Sequence, residues 1–177
     1  MNDIKRVTDL VPGNLPADDK PALIDSPRED ATVDYGMGIQ SPVLLRLHEL
    51  WRCKHVEGKL PGRNDFDPVE MKDCLGNIFL LEHVRDIDNF RYTLIGTKIV
   101  GWVGVDNTGK LVDEVFDERV RLFYKGLQAR KIPARTIGKV VWRDKEHVTY
   151  EAIMLPLSED KRTVNRFIGA MEFHMSC

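Results

Sequence analysis

Hydrophobic and polar positions along the chain change their period twice. Through residue 40 the apolar residues Leu10, Val11, Leu15, Leu23 and Ile24 keep no sustained spacing among frequent Asp, Pro and Gly, so residues 1–40 read as a flexible N-terminal arm. From residue 41 the period turns helical. Ser41 is a good N-cap, Pro42 suits the first helical position, and Leu44, Leu47 and Trp51 recur at helical spacing with Val43 and Leu50 widening the stripe. Gly58 supplies a left-handed residue to end the element, which predicts an amphipathic helix over residues 41–58. A shorter helix is expected over residues 67–75, where Asp67 caps, Pro68 opens the helix and Glu70 stands where a capping box needs it.

Beyond residue 77 the period becomes two. Residues 78–84 and 90–96 are β-rich runs joined by the polar residues 85–89, whose composition suits a hairpin loop. In the second run Phe90, Tyr92 and Leu94 alternate with Arg91 and Thr93, which turns the aromatic face to the core. Residues 97–109 are punctuated by glycine, with a helical turn at residues 98–102 and a turn at Asp106-Asn107-Thr108-Gly109. A longer helix is expected at residues 117–131, with Val120, Phe123, Tyr124 and Leu127 on one face and Pro133 stopping it. Three strands follow, at residues 134–143, 147–156 and 163–174. In the middle one Val148, Tyr150, Ala152 and Met154 alternate with Thr149 and Glu151, the pattern of a strand buried on one face only.

Two strands, a helical middle and three antiparallel strands make the element order of a PAS domain. Trp51, the segment Leu60-Pro61-Gly62-Arg63-Asn64-Asp65-Phe66-Asp67-Pro68, the strand-turn Phe90-Arg91-Tyr92-Thr93-Leu94-Ile95-Gly96-Thr97, the turn Gly104-Val105-Asp106-Asn107-Thr108-Gly109 and Leu155-Pro156-Leu157-Ser158 resemble blocks of a bacterial family of small stand-alone PAS-like proteins. They fall in that family's order across residues 41–173. The resemblance implies an α+β fold with a five-stranded antiparallel sheet, central helices on one face and the amphipathic N-terminal helix outside. It also implies that the first strand lies between the second and the fifth. Residues 1–40 would then be the arm and residues 41–177 the PAS-like domain. On the concave side the resemblance implies an interior shared by Tyr92, Trp102, Phe123, Trp142 and Met154, the place for a small-molecule ligand. Core packing accounts for the same residues with no ligand, and both readings stay open at this point.

Composition excludes more than it names. A net charge of −2, with 42% hydrophobic and 31% charged residues, gives no field that would draw in nucleic acid or an anionic membrane. No run approaches the ~18 apolar residues of a membrane span, so neither partner is expected and a cytoplasmic protein is. Cys53, Cys74 and Cys177 are odd in number and far apart, without zinc-ligand spacing, which matches a reducing compartment. The basic residues Arg119, Arg121, Lys125, Arg130 and Lys131 follow Asp113, Glu114, Asp117 and Glu118, as the helix dipole favours, so they read as a solvated helix.

Catalytic equipment is not evident. The sequence holds no glycine-rich phosphate loop, no GxSxG elbow and no HExxH pair, so an enzyme is not expected. His48 and His55 lie two turns apart beside Cys53, where a metal or haem ligand competes with the simpler reading of helix-surface histidines. His83 would ligate haem only if its strand turned it inward, and a local hydrogen-bond partner is the preferred reading. The cysteines lie outside the central helical segment, so flavin photochemistry lacks its thiol. Neither haem nor flavin is supported and the cofactor stays unknown. Arg63, Asp65 and Asp67 set acid-base chemistry against a structural turn, and the turn is favoured because Asp67 already has a capping role. Asp106, Thr108 and Gly109 likewise suit an Asx turn better than a ligand-contacting loop.

The function expected is therefore a stand-alone sensory or adaptor module. It acts through protein–protein contacts with a signalling partner, as a homodimer paired through the helix at residues 41–56 or the arm before it, with a small ligand in the apolar interior as an open option. The second reading is a small enzyme with a cone-shaped α+β fold similar to ketosteroid isomerase, for which His83 and Asp106 are the interior-capable bases.

Overall fold

The computed structural model describes residues 27–28, 31–140 and 148–176. The strands are β1 (Ala31–Asp34), β2 (Ile78–Val84), β3 (Asn89–Ile95), β4 (Ala134–Lys139), β5 (Val148–Leu157) and β6 (Arg166–Met175). The helices are α1 (Pro42–Lys54), α2 (Thr97–Val103), α3 (Val112–Val115) and α4 (Glu118–Arg130). Among the described residues the strands form one antiparallel sheet in the order β1-β4-β5-β6-β2-β3. β2 thus lies between β3 and β6, the neighbourhood the resemblance implies.

The sheet has six strands where five were expected, and the extra one lies in the segment read as an arm. β1 has only four residues, too few to display a period, and it gains its strand character by pairing with β4, Ala31 opposite Gly138 and Asp34 opposite Arg135. The Asp34 carboxylate then accepts the N–H groups of Gly36 and Gly38, both at 2.8 Å, and turns the chain towards α1. The boundary expected at residue 41 therefore falls after the first strand of the sheet.

α1 begins as its sequence dictates, with the Ser41 hydroxyl accepting the Leu44 N–H at 3.2 Å and Pro42 in the first turn. It ends at Lys54, short of the expected residue 58, because Glu57 and Gly58 both take left-handed backbone (φ 54° and 70°) and make a tight turn between Val56 and Lys59. The helix expected at residues 67–75 is a series of tight turns. The N–H groups of Glu70, Met71, Lys72 and Cys74 each donate to the carbonyl three residues back, and a 3-10 turn at Leu75–Asn77 leads into β2. The segment has only Met71 and Cys74 to bury, and residues three apart align on one side of 3-10 winding. Its caps follow the sequence: Asp67 accepts the Val69 N–H at 2.8 Å, and Glu70 accepts the Asp67 N–H at 3.4 Å.

Both faces of the sheet are covered. α2, α3 and α4 lie on the side of Tyr150, Ala152 and Met154, while α1 packs on β5 and β6 from the opposite side with Leu44, Leu47, Leu50 and Trp51 buried. The Trp51 indole N–H donates to the Pro156 carbonyl at 2.9 Å. The apolar face expected to pair two copies is consequently spent inside the chain. Glu151, expected on an open strand face, is only 5% exposed. Its carboxylate accepts the N–H groups of Gln40 at 2.8 Å and Ser41 at 2.9 Å and the Arg135 Nε at 2.6 Å, and Arg135 reaches on to Asp34 at 3.1 Å.

Truncating one member of a buried ion pair leaves the other uncompensated, so Glu151→Ala should cost about 3–5 kcal/mol in urea unfolding. The double substitution with Arg135→Ala should cost less than the sum of the two singles. A loss for Glu151→Ala no larger than that of an exposed pair would contradict the burial of this carboxylate. A pH dependence follows from Asp160, which accepts the N–H groups of Thr163 and Arg162 and the Ser158 hydroxyl. Those bonds, the Thr163 N–H first, hold its carboxyl well below the usual carboxylate range. A lowered folded pKa stabilises above the unfolded value, and the gain is lost as pH falls towards the folded one. Asp160→Asn should therefore flatten the acid limb of the stability profile below about pH 4. An unchanged limb would remove Asp160 from it.

Candidate ligand cavity

Between the sheet and α4 lies a cavity of about 860 Å³. Its floor is one face of the sheet: Phe79 from β2, Tyr92 from β3, Thr136 from β4, Tyr150, Ala152 and Met154 from β5, and Met171 from β6. The period of two fixes this set, since Tyr150, Ala152 and Met154 are alternate residues and the register places Ala152 opposite both Thr136 and Met171. Ile99 and Val103, one helical turn apart on α2, and Val120, Phe123 and Tyr124 of α4 form the roof. The exposed Val105, Glu114 and Asp117 mark the rim, with Arg28, Asn107 and Arg119 beside them.

The rim charges are engaged. Glu114 accepts the Leu111 N–H at 2.6 Å, and Asp117 caps α4 through the Arg119 N–H and holds the Arg119 guanidinium at 3.0 Å. Arg28 lies over the Phe116 ring, 5.6 Å from its centre. The phenols on the wall are deeply placed: Tyr92, Tyr124 and Tyr150 are 8%, 5% and 5% exposed. Burial raises the phenol pKa of Tyr92 and Tyr124 above the usual value; Arg28 pulls Tyr92 partly back, and Tyr92 and Tyr150 push Tyr124 further. The backbone of Tyr92 is pinned by the following loop, its N–H donating to Lys110 at 3.0 Å and its carbonyl accepting the Gly109 N–H at 2.7 Å.

Of the residues expected in the interior, Tyr92, Phe123 and Met154 line the cavity. Trp102 stacks on Phe173 at 5.5 Å, because Ile99 and Val103 occupy the inward side of α2. Trp142 lies outside the described residues. His83 is not part of the cavity lining, its Nε2 lying 2.9 Å from the Asp88 carboxylate and its ring 5.1 Å from that of Phe90. Two wall residues were legible but not singled out. Tyr124 adjoins Phe123 on the apolar face of α4, and Tyr150 shares its strand face with Met154. Phe79 could not be placed, since it sits in an unbroken apolar run that shows no alternation.

The residues of the loop motifs make local hydrogen bonds and ion pairs. Asp65 accepts the Gly62 N–H and the Lys161 ammonium, both at 2.7 Å, and Arg63 donates to the Phe66 carbonyl at 3.2 Å. Asp67 caps its turn. Asp106 accepts the Thr108 N–H at 2.9 Å and hydroxyl at 2.6 Å, and Gly109 takes φ 90°, the Asx turn expected. Among the described residues no cluster of three His, Cys, Asp or Glu side chains is arranged to hold a metal ion, and no helix is long and apolar enough to cross a membrane.

A sheet roofed by short helices over an interior cavity is the architecture of an α+β sensory or adaptor domain. The sequence profile of the PAS domain family matches residues 39–172, and the chain belongs to that family. No curated protein matches. Among solved structures the chain is similar to one titled "Structure of an RNA-binding Light-Oxygen-Voltage Receptor", at 13% identity and a TM-score of 0.46. The match covers 84% of this chain and 40% of that one, so the chain spans less than half of that receptor's length.

One glycine sets the shape of the floor. A Cβ on Gly169 would stand 2.1 Å from the Phe79 ring, which lies across β6 where a side chain would otherwise be. Gly169→Ala should drive that ring towards the cavity, costing about 1–3 kcal/mol as overpacking does. Urea unfolding measures the cost, and the fluorescence of N-phenyl-1-naphthylamine on binding should weaken with it. Unchanged stability and probe binding would show that the ring has room elsewhere.

Proposed function

We propose that this PAS domain is a sensory or adaptor module whose cavity takes a small, largely apolar molecule and whose output passes through contact with a signalling protein. The observation that carries this reading is the space itself. Its volume of about 860 Å³ and its mainly aliphatic and aromatic wall suit a small-molecule site, which spans ~300–1,000 Å³. A core packed to ordinary density leaves few voids larger than a water molecule, so a filled interior does not account for it. Occupancy would bear on both Arg28, just before β1, and the α3–α4 junction at Phe116, two segments that meet at the rim.

Two other readings have less support. Proton transfer needs a base aimed inside, whereas Glu114 and Asp117 are occupied as caps, His83 pairs with Asp88 and Asp106 closes its own turn. A nucleic-acid surface needs cations left for phosphates. On α4, Arg119 pairs with Asp117, Arg121 with Asp113 and Glu118, and Lys125 with Asp88.

Native mass spectrometry of protein purified without denaturant should show a small-molecule adduct that is lost in Ala152→Phe, which fills the cavity from β5. An apolar compound supplied at a hundred times its Kd should stabilise the wild-type chain by about 2.7 kcal/mol. A bare chain with no stabilisation by any apolar compound would overturn the reading.

A further inference from the structure

The cavity wall is not uniformly apolar. Tyr92 and Tyr124 are each more than nine-tenths buried, both line the cavity, and neither hydroxyl has a hydrogen-bond partner among the described residues. Both hydroxyls belong to residues on the cavity wall and are not sealed into the packed core, so an apolar guest that displaces water from them leaves two donors to be met. The two residues line one cavity from opposite sides, Tyr92 on the sheet and Tyr124 on α4, with Tyr150 on the same floor.

The rings are held while their hydroxyls are left over. Tyr124 packs against Phe90 at 5.6 Å, Phe167 at 5.2 Å and Phe123 at 5.6 Å, and Tyr92 meets Phe79 edge-on at 6.3 Å. Such packing fixes two O–H donors before any ligand arrives. A phenol is a better donor than acceptor, and a carbonyl oxygen has two lone pairs with which to meet two donors. The cations near the cavity are on its rim and engaged, Arg119 with Asp117 and Arg28 over Phe116, so an anion is not favoured inside.

We infer that the cavity selects an uncharged, mostly apolar molecule bearing a carbonyl oxygen, which the Tyr92 and Tyr124 hydroxyls grip together. This rests on the reading of the cavity as a ligand site and adds the chemical class of the ligand. Discrimination would come from the donors: a molecule of the same shape without the carbonyl leaves both phenols unsatisfied and is rejected for that reason.

The test is a matched pair of probes, 2-acetylnaphthalene and 2-ethylnaphthalene, which share a shape and differ in the carbonyl. Their Kd values are measured on the wild-type chain and on the double variant Tyr92→Phe/Tyr124→Phe. At about fivefold per neutral hydrogen bond, the preference for the ketone over the hydrocarbon should fall by about tenfold or more in the variant. 2-Ethylnaphthalene should bind the variant at least as tightly as the wild type, since no phenol is then left unsatisfied, and its binding also reports that the variant is folded. The bound ketone's carbonyl stretch should lie at lower frequency in the wild type than in the variant. A ketone preference and a carbonyl frequency that the double substitution leaves unaltered would overturn this inference while leaving the cavity as a ligand site. Failure of both probes to bind the wild-type chain would overturn the cavity reading itself, and this inference with it.

Discussion

Glu151 carries a carboxylate into the interior, and a charge in that position is stable only when its oxygens are met. Here the Arg135 guanidinium and the backbone N–H groups of Gln40 and Ser41 meet them, which draws together β4, β5 and the start of α1. Because side chains alternate along a strand, a residue fixed against α1 sends its neighbours to the other side. Tyr150 and Ala152 therefore face α4 and become part of the cavity floor. The same ion pair extends through Arg135 to Asp34, so β1 is joined to the sheet by a charge as well as by its ladder. A buried pair is weak evidence for stability, but it has one satisfactory arrangement, and that arrangement specifies the register.

The cavity follows from that division of faces. α1 fills the outer side with Leu44, Leu47 and Trp51, leaving the inner side to be roofed by short helices that meet the sheet only in part. α2 offers Ile99 and Val103, α4 offers Phe123 and Tyr124, and the floor keeps small residues at Ala152 and Gly169 where larger ones would close the space. The aromatic groups beneath α4 pack on one another, so the Tyr124 ring is held between Phe90 and Phe167.

Much of the fold could be read from the order of periods. The runs at residues 78–84 and 90–96 and the helix at residues 117–131 come within a residue or so of β2, β3 and α4, since the first is a β-rich apolar run bounded by turn residues, the second alternates and the third has a capped apolar stripe. What could not be read depends on distant parts of the chain. Four residues at β1 become a strand only because β4 lies beside them, and Glu151 looks like a solvent residue until α1 is placed over it. The turns at residues 68–74 carry good helix caps, yet Met71 and Cys74 alone give too little apolar surface to extend a helix. For the cavity, Tyr92, Phe123 and Met154 were legible from strand and helix faces. Trp102 was misplaced because a helix of seven residues shows too few turns to say which side is inward.

The account stands on the interior being a space that admits an apolar guest. Diffraction from crystals held under xenon pressure tests this most directly, since xenon enters dry apolar cavities without needing any specific contact. The structure predicts xenon among Phe123, Met154 and Tyr92, with those side chains unmoved. A map with no xenon there, and with Phe79 and Tyr124 closed over the region instead, would contradict it.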